Sequence, residues 1–117
     1  MADITVKAAY GSVVEDEGFL FVGFAEGEDE EEGYVLFRQP LEGGPIWFEV
    51  GDETFGANDA IEKAVAGPNG FDVTIRPGKL AAFGFAGTIA VRVGPGCEDG
   101  AEALEALRGM LGTLWQG

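Results

Sequence analysis

The chain contains no histidine and a single cysteine, Cys97. Without histidine, nucleophilic catalysis by a Ser-His or Cys-His pair is excluded, and so is zinc binding through imidazole. One cysteine cannot form a disulfide within the chain, which suits a reducing compartment. We therefore expect a protein that is not an enzyme, uses no metal or other cofactor, and resides in the cytoplasm.

Long apolar runs are also missing. No stretch approaches the roughly 18 apolar residues of a membrane span, and residues 1–13 lack the apolar core of a signal peptide. The length of 117 residues predicts a single domain, 1–117. A hydrophobic content of 46%, which includes nine phenylalanines, is sufficient for a buried core and argues against disorder.

Basic residues are few and unevenly placed. The segment from Ala8 to Glu62 holds 15 acidic residues and one base, Arg38, so it carries a formal charge of −14. The rest of the chain has six acids and six bases and is neutral. Because phosphate contacts require Lys and Arg, we expect neither nucleic acid nor an anionic membrane as a partner. The asymmetry indicates a cationic partner, or a surface that serves solubility alone.

Apolar and alternating segments predict a mostly β fold. Segment 59–66 fits a helix or a strand, but the turn at 67–70 and the alternation that follows it favour a hairpin. Leucines at helical spacing predict one helix over Ala101–Leu114. We expect an α+β domain in which this C-terminal helix packs on an antiparallel sheet of about seven strands. The strand segments are 4–10, 18–25, 34–39, 46–50, 60–66, 71–76, 80–85 and 88–93.

Residues 26–33, EGEDEEEG, predict an exposed acidic loop. The run within it lacks the spacing of an EF-hand, so an electrostatic contact surface is the better interpretation than a calcium site. Its candidate partner-binding residues are Glu28, Asp29, Glu30, Glu31 and Glu32.

Strand 46–50 separates its side chains between two faces. Alternation places Phe48 on one face and Trp47 and Glu49 on the other. An exposed face is the expected location for Glu49. Trp47 is either an open hot spot for a basic partner or a residue that the helix covers, and the sequence does not decide between the two.

The chain from Tyr34 onward shows a characteristic order of features. The run YVLFRQPLE is followed by IWFEVGDETFGANDAIEKAVA, by a turn with FDVTIRP, and by the helical segment. This order resembles bacterial polymorphic-toxin immunity proteins of the family catalogued as immunity protein ten. The resemblance implies a mostly β fold with a terminal helix, and a role in binding and neutralising a cognate toxin. The matching positions are Tyr34, Trp47, Glu49, Asp52, Glu53 and Gly56.

Two functional hypotheses follow. The first is an immunity-type inhibitory protein that neutralises a cationic toxin, with a nuclease as one candidate, because an acidic surface can mimic phosphate in a basic cleft. The alternative is a β domain that binds a small apolar ligand or acts as an assembly subunit. For the first hypothesis, the expected partner-binding residues are the acidic run from Glu28 to Glu32 together with Tyr34, Trp47, Glu49, Asp52 and Glu53.

Overall fold

A computed structural model describes residues 2–29 and 32–117. These residues form nine strands, one α-helix and two 3₁₀ segments. The strands are β1 (Ile4–Asp16), β2 (Phe19–Ala25), β3 (Tyr34–Pro40), β4 (Trp47–Val50), β5 (Gly56–Asn58), β6 (Ile61–Gly67), β7 (Gly70–Ile75), β8 (Thr88–Glu98) and β9 (Trp115–Gln116). The helix is α1 (Gly100–Leu111), and the 3₁₀ segments are Pro77–Phe83 and Gly112–Leu114.

The strands form one mixed sheet in the order β5-β4-β3-β2-β1-β8-β7-β6-β9. The expectation of about seven antiparallel strands is wrong in number and in direction. Strands β5 and β9 have three and two residues, too few to show a periodic pattern. The pairs β1/β8 and β6/β9 are parallel, and such pairing joins distant segments without a local signal. The hairpin expected from 60–66 and 71–76 is present as β6 and β7.

Segment 80–85, expected as a strand, belongs largely to the 3₁₀ helix Pro77–Phe83. Proline at the first helical position pre-sets the backbone angle of a helical turn. Gly84 ends the segment in the left-handed region, with φ at 59°. This apolar run contributes to the core through Phe83, whose buried ring stacks on the ring of Phe48 with 5.6 Å between the ring centroids.

Buried aromatic rings show that the sheet curls around its core. Phe71 on β7 lies 5.4 Å from the ring of Phe24 on β2 and 6.1 Å from that of Phe37 on β3. Two other strands separate β7 from β2 in the sheet, a span of roughly 14 Å if the sheet were flat. The rings can meet only because the sheet bends toward them, so this face is concave.

The helix closes the concave face, as the leucine spacing predicts. Ala103, Leu107 and Leu111 are buried against the core. Gly11 on β1 permits the close approach, since a Cβ there would lie 2.8 Å from that of Ala103. The helix is shorter than expected, because Gly112 at φ 55° ends it before Leu114.

The opposite face, here called the outer face, lies on β1 to β5. Cross-strand pairing places one row of residues in register across all five strands. Gly11 on β1 faces the helix. Because side chains alternate along a strand, its neighbour Ser12 faces away from the helix, and so do the residues that pair with Ser12. The row consists of Ser12, Gly23, Leu36, Glu49 and Gly56.

The curl predicts that Phe71 carries much of the stability. Replacing Phe71 by Ala removes its ring contacts with Phe24, Phe37 and Trp115, and should lower the free energy of unfolding by about 3–5 kcal/mol. The matched control is Phe85→Ala, at a side chain that is 74% exposed, for which we expect a change within about 0.5 kcal/mol. Urea denaturation followed by circular dichroism measures both. Equal losses for the two variants would contradict the proposed core.

Candidate functional site

Among the residues that the structure describes, the outer face holds one buried carboxylate, Glu49, which is 7% exposed. The expectation of an exposed Glu49 is therefore wrong. The Tyr34 hydroxyl donates a hydrogen bond to Oε2, and the Trp47 indole Nε1–H donates one to Oε1 at 2.7 Å. Both carboxylate oxygens thus have a neutral donor, which offsets part of the cost of removing the charge from water.

Strand geometry explains why these three side chains meet. Trp47 precedes Glu49 by two residues on β4, so both point to the same face. Glu49 pairs with Leu36 on β3, which makes Tyr34 its diagonal neighbour on that strand. Gly56 on β5 lies opposite, and a Cβ there would approach the Trp47 ring to 2.9 Å. A glycine is therefore required beside the cluster.

Trp47 is half-buried, and the helix does not cover it, because the helix packs on the concave face. Its other neighbour is Arg38, whose guanidinium lies 5.3 Å from the indole and 5.4 Å from the ring of Phe19. Both distances are within the range of cation–π attraction. The one base of the acidic segment is thus held between two aromatic rings.

Burial raises the pKa of the Tyr34 hydroxyl well above its usual range. The hydrogen bond to Glu49 and the charges of Glu49, Asp52 and Glu53 raise that pKa further, because a tyrosinate would be repelled by them. The hydroxyl therefore remains a donor, and it holds the carboxylate in place throughout the neutral pH range.

An acidic cleft with a volume of about 500 Å³ begins at this cluster. Glu49 and Tyr34 form part of its wall, and its remaining charged lining comes from the acidic loop and the turn after β4. Asp52 is fixed at the turn by the backbone N–H and the hydroxyl of Thr54, which lower the pKa of Asp52. The carboxylates that line the cleft are Glu28, Asp29, Glu32, Glu49, Asp52 and Glu53.

Glu26 anchors the acidic loop to the sheet. Its carboxylate accepts hydrogen bonds from the backbone N–H groups of Lys7 and Gly33. Its own N–H donates to the Gly33 carbonyl at 2.8 Å, which closes the base of the loop. The described part of the loop is thereby positioned at the rim of the cleft.

A second hollow, here called the depression, lies on the other side of Tyr34 and Glu49. It has a volume of about 330 Å³ and a mostly apolar lining. Small residues form its floor, and two tyrosines and a leucine stand around it. The lining side chains are Tyr10, Ser12, Ala25, Tyr34, Leu36 and Glu49, with Gly23 at the floor.

The sequence-predicted residues thus fall into three groups. Tyr34, Trp47 and Glu49 form one hydrogen-bonded cluster. Glu30 and Glu31 lie outside the described residues. The other five predicted acids line the cleft, namely Glu28, Asp29, Glu32, Asp52 and Glu53.

Sequence reasoning missed the depression. Its signal was present as Gly23 in the middle of the apolar run 18–25, since a glycine inside a strand often marks a close approach by another group. Ser12 was missed because β1, expected at 4–10, continues to Asp16.

Three further observations concern possible metal ligands, the single thiol and membrane-spanning helices in the described part of the chain. Among residues 2–29 and 32–117, no three Cys, Asp or Glu side chains converge closely enough to hold a metal ion. Burial and the neighbouring charge of Asp99 raise the pKa of the Cys97 thiol, which makes it less reactive. No α-helix in these ranges is both long and apolar enough to span a membrane.

Comparison of the chain with protein-family models, curated proteins and solved structures finds no match in any of the three.

The raised pKa of Tyr34 predicts a specific loss of stability in alkali. An unfolded tyrosine ionises near pH 10, so the contribution of the neutral Tyr34 hydroxyl is complete below that pH and is lost as the pH rises further. The variant Tyr34→Phe should therefore lose less stability than the wild type between pH 8 and pH 11. Urea midpoints at the two pH values provide the measurement.

Trp47→Phe serves as the control, because it removes the other donor to Glu49 and leaves Tyr34 in place. This variant should keep the alkaline loss of the wild type, although its stability at pH 8 falls by about 1–3 kcal/mol. An alkaline loss in Tyr34→Phe as large as that of the wild type would refute the assignment.

Proposed function

We propose that the protein is an immunity-type inhibitor that binds a cationic bacterial toxin through the acidic cleft. The observation that carries the proposal is the cleft itself, in which six carboxylates line a single concave surface next to exposed loops. A concave acidic surface is complementary to a basic side chain or a basic ridge on a partner.

No Lys or Arg is among the described residues that line the cleft. The ion pair formed within the described residues joins Arg92 and Asp72 on β8 and β7, three or more strands away from β4. Arg38 is engaged by aromatic rings and does not line the cleft. The ionisable side chains that line the cleft are therefore mostly acidic, which favours a basic partner.

Glu49 supplies a fixed charge at the inner end of the cleft. Its two donors hold the carboxylate in one orientation, so little side-chain entropy is lost when a cation binds. Tyr and Trp are enriched among the residues that dominate binding energy, and both flank this carboxylate. We expect the charged group of a basic side chain of the toxin to contact the carboxylate of Glu49.

The resemblance to immunity proteins supports the same location. Its matching positions come from β3, β4, β5 and the turn between the last two. In the fold these positions gather on one side of the sheet, around the cluster and the cleft. Inhibition would then follow from occupation of a basic active-site cleft, such as that of a nuclease, by carboxylates in place of phosphate.

The test uses the tagged protein to capture partners from its native cells at low and high salt. The proposal predicts a basic protein whose capture weakens with salt, because screening acts over about 8 Å at physiological ionic strength. Expression of that protein alone should stop growth, and co-expression with the wild-type chain should restore it. A captured protein that is not toxic, or that remains bound at high salt, would argue against the proposal.

A pair of triple variants locates the interface. The cleft variant is Glu28→Gln, Asp52→Asn and Glu53→Gln. The control neutralises three exposed acids on β6 and the helix, as Glu62→Gln, Glu102→Gln and Glu105→Gln. Both sets change the net charge equally. We expect the association rate with the captured toxin to fall about tenfold for the cleft variant and to change little for the control. If the two triple variants slowed association equally, the interaction would depend on net charge alone and not on the cleft.

A further inference from the structure

We infer that the depression is the second half of the partner site, and that it receives an apolar side chain next to the basic side chain that enters the cleft. This inference rests on the proposed function and adds the identity of the recognised segment: a basic stretch of protein with an aliphatic or aromatic residue one or two positions from an Arg or Lys.

The depression exists because two small residues face each other across neighbouring strands. Ser12 on β1 pairs with Gly23 on β2, and both lie on the outer face. A Cβ on Gly23 would be 2.9 Å from the Ser12 Oγ, so even an alanine would begin to fill this space. Glycine weakens a strand interior and is typical of sites where another group approaches closely.

The walls of the depression have the composition of a protein-binding hot spot. Tyr10 and Tyr34 stand at one end and Leu36 at the other, in register with Ala25 and Gly23 on β2. Tyrosine offers a large, rigid contact area with a polar tip, and a well-packed pocket with aromatic walls suits an apolar anchor residue.

The depression and the cleft share one wall. Ala25, Tyr34 and Glu49 line both hollows, so a segment that fills one lies directly beside the other. The shared wall carries the fixed charge of Glu49, which is complementary to a cation and unfavourable for an acidic segment. Charge complementarity therefore selects a basic segment of a protein as the occupant, and the apolar lining selects a nonpolar residue within it.

Panning of phage-displayed random heptapeptides against the wild-type protein tests this inference. We expect enriched peptides to carry an apolar residue within two positions of Arg or Lys. A synthetic peptide of the enriched sequence is then measured by fluorescence polarisation against the wild type and the variants.

Ser12→Phe is the main variant. Its ring should lie over Gly23 and occupy the depression, and an aromatic residue placed across from a strand glycine protects the backbone, so the fold is retained. Gly23→Ala narrows the same space from the other strand. Gly109→Leu is the control, because it adds an apolar side chain at an exposed position with open space around it.

Peptide affinity should fall about tenfold in Ser12→Phe, fall less in Gly23→Ala, and stay unchanged in Gly109→Leu. If the enriched peptides are basic without an apolar preference, and Ser12→Phe binds them normally, this inference is overturned and the proposed function stands. Enriched peptides that are apolar, lack bases and bind the cleft variant as well as the wild type would overturn both this inference and the proposed function. Such a result would assign the depression to apolar ligands. No enrichment would also count against both.

Discussion

The contact of Phe71 with the rings of Phe24 and Phe37 is the constraint on which the shape of the molecule depends. It joins strands that are not neighbours in the sheet, and it can form only if the sheet curls. The curl gathers the large apolar side chains on the concave face, where the helix and Phe83 enclose them. The outer face of β1 to β5 is then free of the helix, and its residues can form hollows.

A charge buried on that outer face needs compensation. An isolated carboxylate removed from water is strongly disfavoured unless hydrogen bonds replace its hydration. For Glu49 these bonds come from Tyr34 and Trp47, which also cover it, and Gly56 leaves the space for the indole. Both donors are neutral, so the negative charge itself persists. The arrangement satisfies the oxygens of the carboxylate and keeps its attraction for a cation.

Local patterns predicted the parts of this structure that depend on neighbouring residues. Alternation in strand 46–50 correctly separated Phe48 from Trp47 and Glu49, and leucine spacing located the helix. The burial of Glu49 could not be predicted, because its cover includes Tyr34 from another strand. The parallel pairing of β1 with β8 is likewise a contact between distant segments. The positions given by the resemblance include Tyr34 and Glu49, which line the depression, but not Tyr10, Ser12 or Gly23.

Whether the depression suits a protein partner or a small apolar ligand depends on the charges of the residues that surround it. A pocket for an apolar molecule alone gains most from walls without charge, because a buried carboxylate at its edge opposes desolvation. Here Glu49 stands in the wall, and the adjoining cleft adds five further carboxylates. An occupant that carries a cation beside an apolar group satisfies both hollows at once. A basic protein segment has both groups on one chain, and the acidic segment from Ala8 to Glu62 would also attract it from a distance.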